Sequence, residues 1–117
     1  SVTELATAPR GESSAEIRQR VIAARAIQTE RYKDIKGIHC NAQMTRPLLE
    51  QYAQLNEEAQ STLTRAMKRL DLSARAYDRI LKVARTIADL DASPNIQAAH
   101  IKEAISYRNL DRGDWGE

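Results

Sequence analysis

The sequence is poor in the residues that build hairpin-rich folds. Its 117 residues include four glycines, three prolines and no phenylalanine, and its aromatic residues are four tyrosines and one tryptophan. Tight β-hairpin turns depend on glycine and proline to set their backbone angles. The composition therefore favours helices, and the length suits one compact domain.

The low content of cysteine, the small net charge and the lack of long apolar runs argue against three further classes of protein. A single cysteine, Cys40, cannot support an internal disulfide framework and suits a reducing cytoplasm, the location that we expect. The net charge of +2 is too small to indicate binding to nucleic acid or to an anionic membrane. No apolar run is long enough to span a bilayer, so we expect no membrane partner.

The chain divides into a short linker, a helical domain and a tail. Residues 1–12 lack periodicity and contain Pro9 and Gly11, which predicts a linker that follows a missing upstream part of the protein. Residues 13–108 carry the helical patterns, and residues 109–117 form a polar tail. We therefore expect a fragment of a longer protein.

Cap residues and apolar spacing predict the helices. Four N-terminal caps are predicted. Ser13 caps the first helix, with Glu16 as its capping-box partner, and Thr45 or Arg46 caps the second, which has Pro47 in its first turn. Asn56 caps the third helix and Ser73 the fourth. The first helix should continue to about Lys33, and the last should follow the break at Ser93 and Pro94. The predicted core positions outside the fourth helix are Ile17, Val21, Ala24, Ile27, Leu48, Leu49, Tyr52, Leu55, Ala59, Leu63, Ala66, Met67, Leu70, Ile101, Ala104 and Ile105.

The fourth predicted helix, residues 74–90, has the strongest pattern in the chain. Its apolar face covers about half of the circumference, which predicts more than one packing neighbour and a central place in the bundle. The polar side comprises Arg75, Asp78, Arg79, Lys82, Thr86 and Asp89. The predicted architecture is an all-α bundle of four to five helices.

The chain lacks the motifs of a self-contained enzyme. No G-x-x-x-x-G-K-[ST] loop is present to hold a triphosphate. His39, Cys40 and His100 are too few for a zinc site, so we expect no metal ligands. A nucleophilic pair of Cys40 and His100 would lack an oxyanion hole, which favours a loop cysteine and a surface histidine.

The first helix carries more basic than acidic residues. Arg18, Arg20, Arg25, Arg31 and Lys33 outnumber Glu16 and Glu30. A solvated face explains this excess most simply, and a contact with DNA or with another subunit is the alternative.

An arginine occupies the start of the fourth helix, where the helix dipole disfavours cations. Ser73 caps this helix and Arg75 follows two residues later. One interpretation is an exposed arginine that turns away from the helix end at a small energetic cost. The other is a phosphate sensor, because free amides and a guanidinium together bind phosphate oxygens. Arg79, one turn later, is a weaker candidate for the same contact.

The chain also resembles a known family. The segments GESSAEIRQRVIAARAIQTERY, CNAQM, LSARAYDRILKVARTIADLD and HIKEAISYRNLDR are similar to the C-terminal part of magnesium-chelatase-like AAA+ ATPases of the ComM (YifB) type. The resemblance covers roughly residues 11–112 and implies the helical lid that follows an ATPase core. In such lids a sensor-2 arginine reaches the γ-phosphate of ATP, and the matching positions here are Ser73, Ala74 and Arg75.

The resemblance also implies a cofactor and partners. They are ATP with magnesium bound in the missing core, the core itself, and neighbouring subunits of a hexameric ring. The parent protein would be an ATPase, and DNA branch migration in competence is the activity implied for it. A stand-alone helical module that binds DNA or another protein is the alternative function.

Overall fold

The computed structural model describes residues 12–110, which form an all-α bundle. Its helices are α1 (Ser14–Arg31), α2 (Arg46–Tyr52), α3 (Glu57–Leu70), α4 (Ala74–Leu90) and α5 (Ala98–Leu110), with a 3₁₀ turn at Asn41–Gln43. Within the described residues, the only β pairing that we find is an isolated bridge between Leu55 and Ile96. The predicted fold class is confirmed. Residues 1–11 of the predicted linker and residues 111–117 of the predicted tail lie outside the described part.

Local capping explains where the helices begin. Ser13 and Glu16 form a complete capping box, in which the hydrogen bond from the Ser13 amide lowers the pKa of the Glu16 carboxyl. The Asn56 side chain accepts a hydrogen bond from the amide of Ala59 at 2.8 Å. These capping predictions are confirmed, and α1 ends at Arg31, two residues before Lys33.

Helix α4 lies at the centre of the bundle, as predicted. It packs against α1, α2, α5 and the 3₁₀ turn, while α5 also packs against α3. Ile80 and Ala84 of α4, Leu63 of α3, and Ile101 and Ala104 of α5 are fully buried. Burial of each large apolar side chain stabilises the fold by about 1.5–3 kcal/mol, so these helices form one core.

The predicted apolar stripe of α1 is only partly buried. Ala24 is buried and Ile17 and Val21 are half-buried, but Ile27 is 36% exposed. The placement of Ile27 in the core is therefore wrong. The reason is that α1 packs chiefly against a single helix, α4, which covers only one narrow side of it.

His100 is buried rather than on the surface, which corrects the expectation for this residue. Its Nδ1 accepts a hydrogen bond from the amide of Gln97 at 2.9 Å, and its Nε2 lies 3.1 Å from Asp91 Oδ2. The imidazole thus caps the start of α5.

Cys40 is exposed on its loop, with its Sγ 3.8 Å from Gln43 Oε1. Both ring nitrogens of His100 are engaged with Gln97 and Asp91, so the two residues do not form a nucleophilic pair.

Candidate phosphate-contact site at the start of α4

Ser73 gives the start of α4 its local geometry. Its backbone is extended (φ −79°, ψ 168°), and its Oγ accepts a hydrogen bond from the amide of Ala76 at 3.2 Å. The carbonyl of Ser73 accepts the amide of Tyr77 at 3.1 Å. Helix geometry leaves the amides of Ala74 and Arg75 without an intrahelical partner, and both residues are exposed. The predicted cap is present, and two donors point away from the helix end.

Arg75 adds a guanidinium to these two free amides. It is exposed and makes no side-chain hydrogen bond or ion pair with another residue of the described structure. Arg79 is half-buried one turn further along, so Ser73, Arg75 and Arg79 occupy the first two turns of one helix. The three predicted site residues therefore lie on consecutive turns at one end of α4.

An acidic residue three positions after Arg75 on α4 is engaged with another arginine. Asp78, three residues after Arg75, lies 3.1 Å from Arg46 at the start of α2. Because Arg46 compensates this carboxylate, Asp78 does not cancel the positive character that the helix dipole and Arg75 give to this end of α4. Such an end attracts anions, and a guanidinium matches the geometry of carboxylate and phosphate groups.

The Ser73 cap should contribute measurably to stability. We expect Ser73→Ala to lower the free energy of unfolding by about 1 kcal/mol, because the amide of Ala76 loses its acceptor. Thermal unfolding followed by circular dichroism should show a midpoint lower by about 4–8 °C. Ser61→Ala, in the middle of α3 on an exposed surface, is the control and should change the midpoint little. Equal midpoints for the two variants would contradict the role of the cap.

A second polar site lies at the other end of α4, in the protein interior. The buried polar cluster consists of Arg31, Asn41, Arg85 and Asp89. Arg31 donates to both carboxylate oxygens of Asp89 at 2.8 Å, and Arg85 Nε donates to Oδ1 at 3.2 Å. Only 1% of the Asp89 side chain is exposed. The sequence pattern groups Asp89 with the polar side of this helix, opposite the apolar face, whereas the structure buries it.

Asn41 completes the cluster from the 3₁₀ turn. Its Nδ2 donates to Asp89 Oδ2 at 2.8 Å, and its Oδ1 accepts the hydroxyl of Tyr32 at 2.6 Å and Arg31 Nη1 at 3.0 Å. The hydrogen bonds to Asp89 raise the pKa of Arg31, whereas burial lowers the pKa of Arg85 and raises that of Tyr32.

Arg85 connects the cluster to two loops. Its Nη2 donates to the carbonyl of Ser93 at 2.8 Å, and its Nη1 donates to the carbonyls of Pro94 at 3.1 Å and Tyr52 at 3.3 Å. The cluster therefore holds α1, the 3₁₀ turn, the end of α2 and the loop before α5 against the last two turns of α4. It fixes the helix whose other end carries Arg75.

One signal in the sequence could have revealed this cluster. Arg85 stands four residues after Leu81 and three before Ala88, within the apolar arc of α4. An arginine in such an arc needs a carboxylate partner, and Asp89 follows one turn later. The other partners of Asp89, which are Arg31 on α1 and Asn41 in the 3₁₀ turn, have no local signature.

The described residues contain neither a metal-binding cluster nor a membrane-spanning helix. Among them, no group of three or more His, Cys, Asp and Glu side chains could hold a metal ion. Within the same part of the chain, none of the helices combines the length and the apolar character that crossing a membrane requires.

Comparison with known proteins identifies the class to which this helical domain belongs. Residues 11–108 match the family described as magnesium chelatase, subunit ChlI C-terminal, and the chain belongs to this family. More narrowly, it is a C-terminal domain of the ComM/YifB type of magnesium-chelatase-like proteins.

Its relatives are much longer proteins. It is 45% identical to uncharacterized protein YifB of Escherichia coli over 102 residues, which cover 87% of this chain and 19% of YifB. It is 42% identical to competence protein ComM of Haemophilus influenzae over 106 residues, which cover 91% of this chain and 20% of ComM. An uncharacterized protein of Mycobacterium bovis is 35% identical over 98 residues, or 84% of this chain and 19% of that protein. The chain thus spans about a fifth of the length of these relatives.

Proposed function

We propose that this domain is the helical lid of an AAA+ ATPase and that Arg75 contacts the terminal phosphate of ATP bound in a preceding core. The observation that carries this proposal is the exposed guanidinium of Arg75 at the start of the central helix, beside two amides that lack intrahelical acceptors. Membership of a family whose relatives are chelatase-like proteins supports it.

The residues present fit a phosphate and do not hold a nucleotide by themselves. A guanidinium presents planar paired donors to phosphate oxygens, and the helix dipole adds to their attraction. The chain contains no phosphate-binding loop, so a separate core must position the nucleotide and its magnesium ion. When bound, ATP supplies the phosphoryl group that is transferred to water.

Arg75 would stabilise the charge that develops on the transferred phosphoryl group. Once the closed lid places Arg75 beside the phosphate, its positive charge is in position for the transition state. Because Arg75 is exposed, a contact to phosphate would form only when α4 approaches the core. The lid would therefore close when the terminal phosphate is present and be released after hydrolysis, which couples the nucleotide state to movement of the domain.

The test is the ATPase turnover of the full-length protein at saturating ATP. We expect Arg75→Ala to lower turnover by about ten- to a hundredfold, because a hydrogen bond to a charged group contributes about 1.5–3 kcal/mol. Arg75→Lys should recover only part of this loss, since lysine lacks the paired donors.

Arg65→Ala is the matched control for this experiment. Arg65 is exposed on α3 and bonds locally to Ser61 Oγ at 2.9 Å, so its loss should leave turnover unchanged. Both variants should keep the wild-type unfolding midpoint. Near wild-type turnover of Arg75→Ala would refute the assignment of Arg75.

For the whole protein we propose an ATP-driven ring of neighbouring subunits that acts in the cytoplasm. One relative is named a competence protein, which supports a role in competence. The family resemblance implies DNA branch migration as the work done by the ring. In this proposal the domain itself is not an enzyme. Its part is to sense the phosphate and to move.

A further inference from the structure

Helix α1 has an outer face that the bundle does not cover. We define the outer face of α1 by residues that recur at steps of three and four and are all exposed: Ala15, Gln19, Ile22, Ala26 and Thr29. Ile22, at its centre, is 54% exposed. The opposite side of the helix, with Ala24 and Arg31, packs on the bundle. An exposed large aliphatic side chain amid small residues indicates a surface that packs against another surface.

The two edges of the outer face differ in charge. Arg18 and Arg25 follow one edge, and neither makes an ion pair or side-chain hydrogen bond with another described residue. Glu16 and Glu30 follow the other edge and already have partners, since Glu16 binds Ser13 and Glu30 lies 2.6 Å from Lys33. Ser13 carries no charge, so Glu16 stays negative, and the positive edge of this surface is the one with Arg18 and Arg25. The complement of that edge is an apolar surface that carries carboxylates.

A second copy of this chain complements this surface poorly. Antiparallel pairing of two α1 helices would place the Arg18 and Arg25 edges beside each other. Parallel pairing would rely on Ile22 as the only large apolar side chain. A standard interface between separate proteins buries about 800 Å² on each partner. One face of an 18-residue helix, about 27 Å long and about 10 Å wide, is smaller than that.

A domain in the same polypeptide needs a smaller surface. Covalent linkage gives the two surfaces an effective concentration of roughly millimolar, so that a weak contact is still occupied. Among the described residues, α1 is the first helix of a C-terminal domain that spans about a fifth of its relatives. Of the described helices it is therefore the one closest in sequence to a preceding domain.

We infer that the outer face of α1 docks on the preceding domain of the parent polypeptide, with Ile22 in an apolar contact and Arg18 and Arg25 beside carboxylates. This inference rests on the proposed function in one respect, the existence of that domain. It is independent of the role of Arg75, which lies on a different helix.

The test is hydrogen–deuterium exchange of the peptide covering residues 14–31, without nucleotide, in the full-length protein and in the 117-residue chain. We expect exchange in the full-length protein to be slower by about tenfold or more, because docking suppresses local opening of α1. Ile22→Asp in the full-length protein should remove this protection. Arg25→Glu should weaken it.

Controls separate the possible explanations. Thr64→Asp, on an exposed surface of α3, should leave the protection intact, and Ile22→Asp in the 117-residue chain should keep the wild-type unfolding midpoint. Equal exchange in the two proteins, or full protection in the Ile22→Asp protein, would overturn the inference. So would a dimer of the 117-residue chain, seen by sedimentation, that Ile22→Asp dissociates.

The same measurement on the Arg75→Ala protein distinguishes this inference from the proposed function. We expect α1 to stay protected in that variant while turnover falls. Protection with unchanged turnover would refute only the role of Arg75. If turnover falls in the Arg75→Ala protein but α1 is not protected in the wild-type full-length protein, only the docking of α1 is refuted.

Discussion

Replacement of Asp89 by alanine should lower the free energy of unfolding by about 3–5 kcal/mol, because it leaves the buried positive charges of Arg31 and Arg85 without a carboxylate. Asp89 accepts hydrogen bonds from both arginines and from Asn41 at distances of 2.8–3.2 Å. All these donors would remain in the interior without their acceptor. Urea unfolding of the variant is the direct measurement, and the thermal midpoint should fall by roughly 15–30 °C.

Asp78→Ala is the matched control on the same helix. The ion pair of Asp78 with Arg46 is partly exposed, with 27% and 55% of the two side chains accessible to solvent. Water screens such a pair, so its loss should cost less than about 1 kcal/mol. A loss of similar size for the two aspartate variants would contradict the role that we assign to the buried polar cluster.

Conservative changes at Asp89 separate charge from shape. Asp89→Asn keeps an acceptor oxygen but removes the negative charge. We therefore expect it to lower the free energy of unfolding, but by less than Asp89→Ala does. Replacing Arg85 and Asp89 together by methionine and leucine removes one whole ion pair. The double variant leaves Arg31 without its carboxylate, whereas Asp89→Ala leaves both Arg31 and Arg85 without it. The double variant should therefore be more stable than Asp89→Ala, since unpaired buried charge is costlier than apolar packing.

Ile80→Ala should lower the free energy of unfolding by about 2–5 kcal/mol. Ile80 is fully buried in α4, the helix against which most of the bundle packs. Truncation to alanine removes three carbon atoms from the core and leaves a cavity that rigid helices fill only partly. The size of the loss can be measured by urea unfolding, with an unchanged dependence on denaturant if the fold is preserved.

Ile22→Ala is the control for the same chemical change. Ile22 is 54% exposed on α1, and its truncation in the 117-residue chain should alter stability by no more than about 0.5 kcal/mol. A large loss at Ile22 would mean that α1 is covered within this chain. That result would also contradict the docking surface inferred above.

Both large effects concern the anchoring of α4. The buried polar cluster holds its C-terminal end, and the apolar core around Ile80 holds its middle. Its N-terminal end, with Ser73 and Arg75, is exposed. A helix fixed along most of its length can carry an exposed arginine in a defined direction, which is what a phosphate contact requires.

Features that depend on close neighbours in sequence could be predicted. The caps of α1, α3 and α4 each involve a side-chain acceptor and a backbone amide three residues apart, so they can be predicted from the amino-acid sequence alone. The broad apolar arc of α4 likewise predicted its central position. The cap at Ser73 and the neighbouring Arg75 and Arg79 lie within one such local pattern, so the candidate site could be assembled before the structure.

Features that depend on distant parts of the chain could not be predicted. Whether Asp89 faces water or the interior depends on Arg31, which is 58 positions away, and on Asn41, 48 positions away. Whether Ile27 and Ile22 are covered depends on how many helices pack beside α1, and in this fold it is chiefly one. Helical periodicity is set within a few residues and can be read from the chain, whereas burial is set by which elements meet in space.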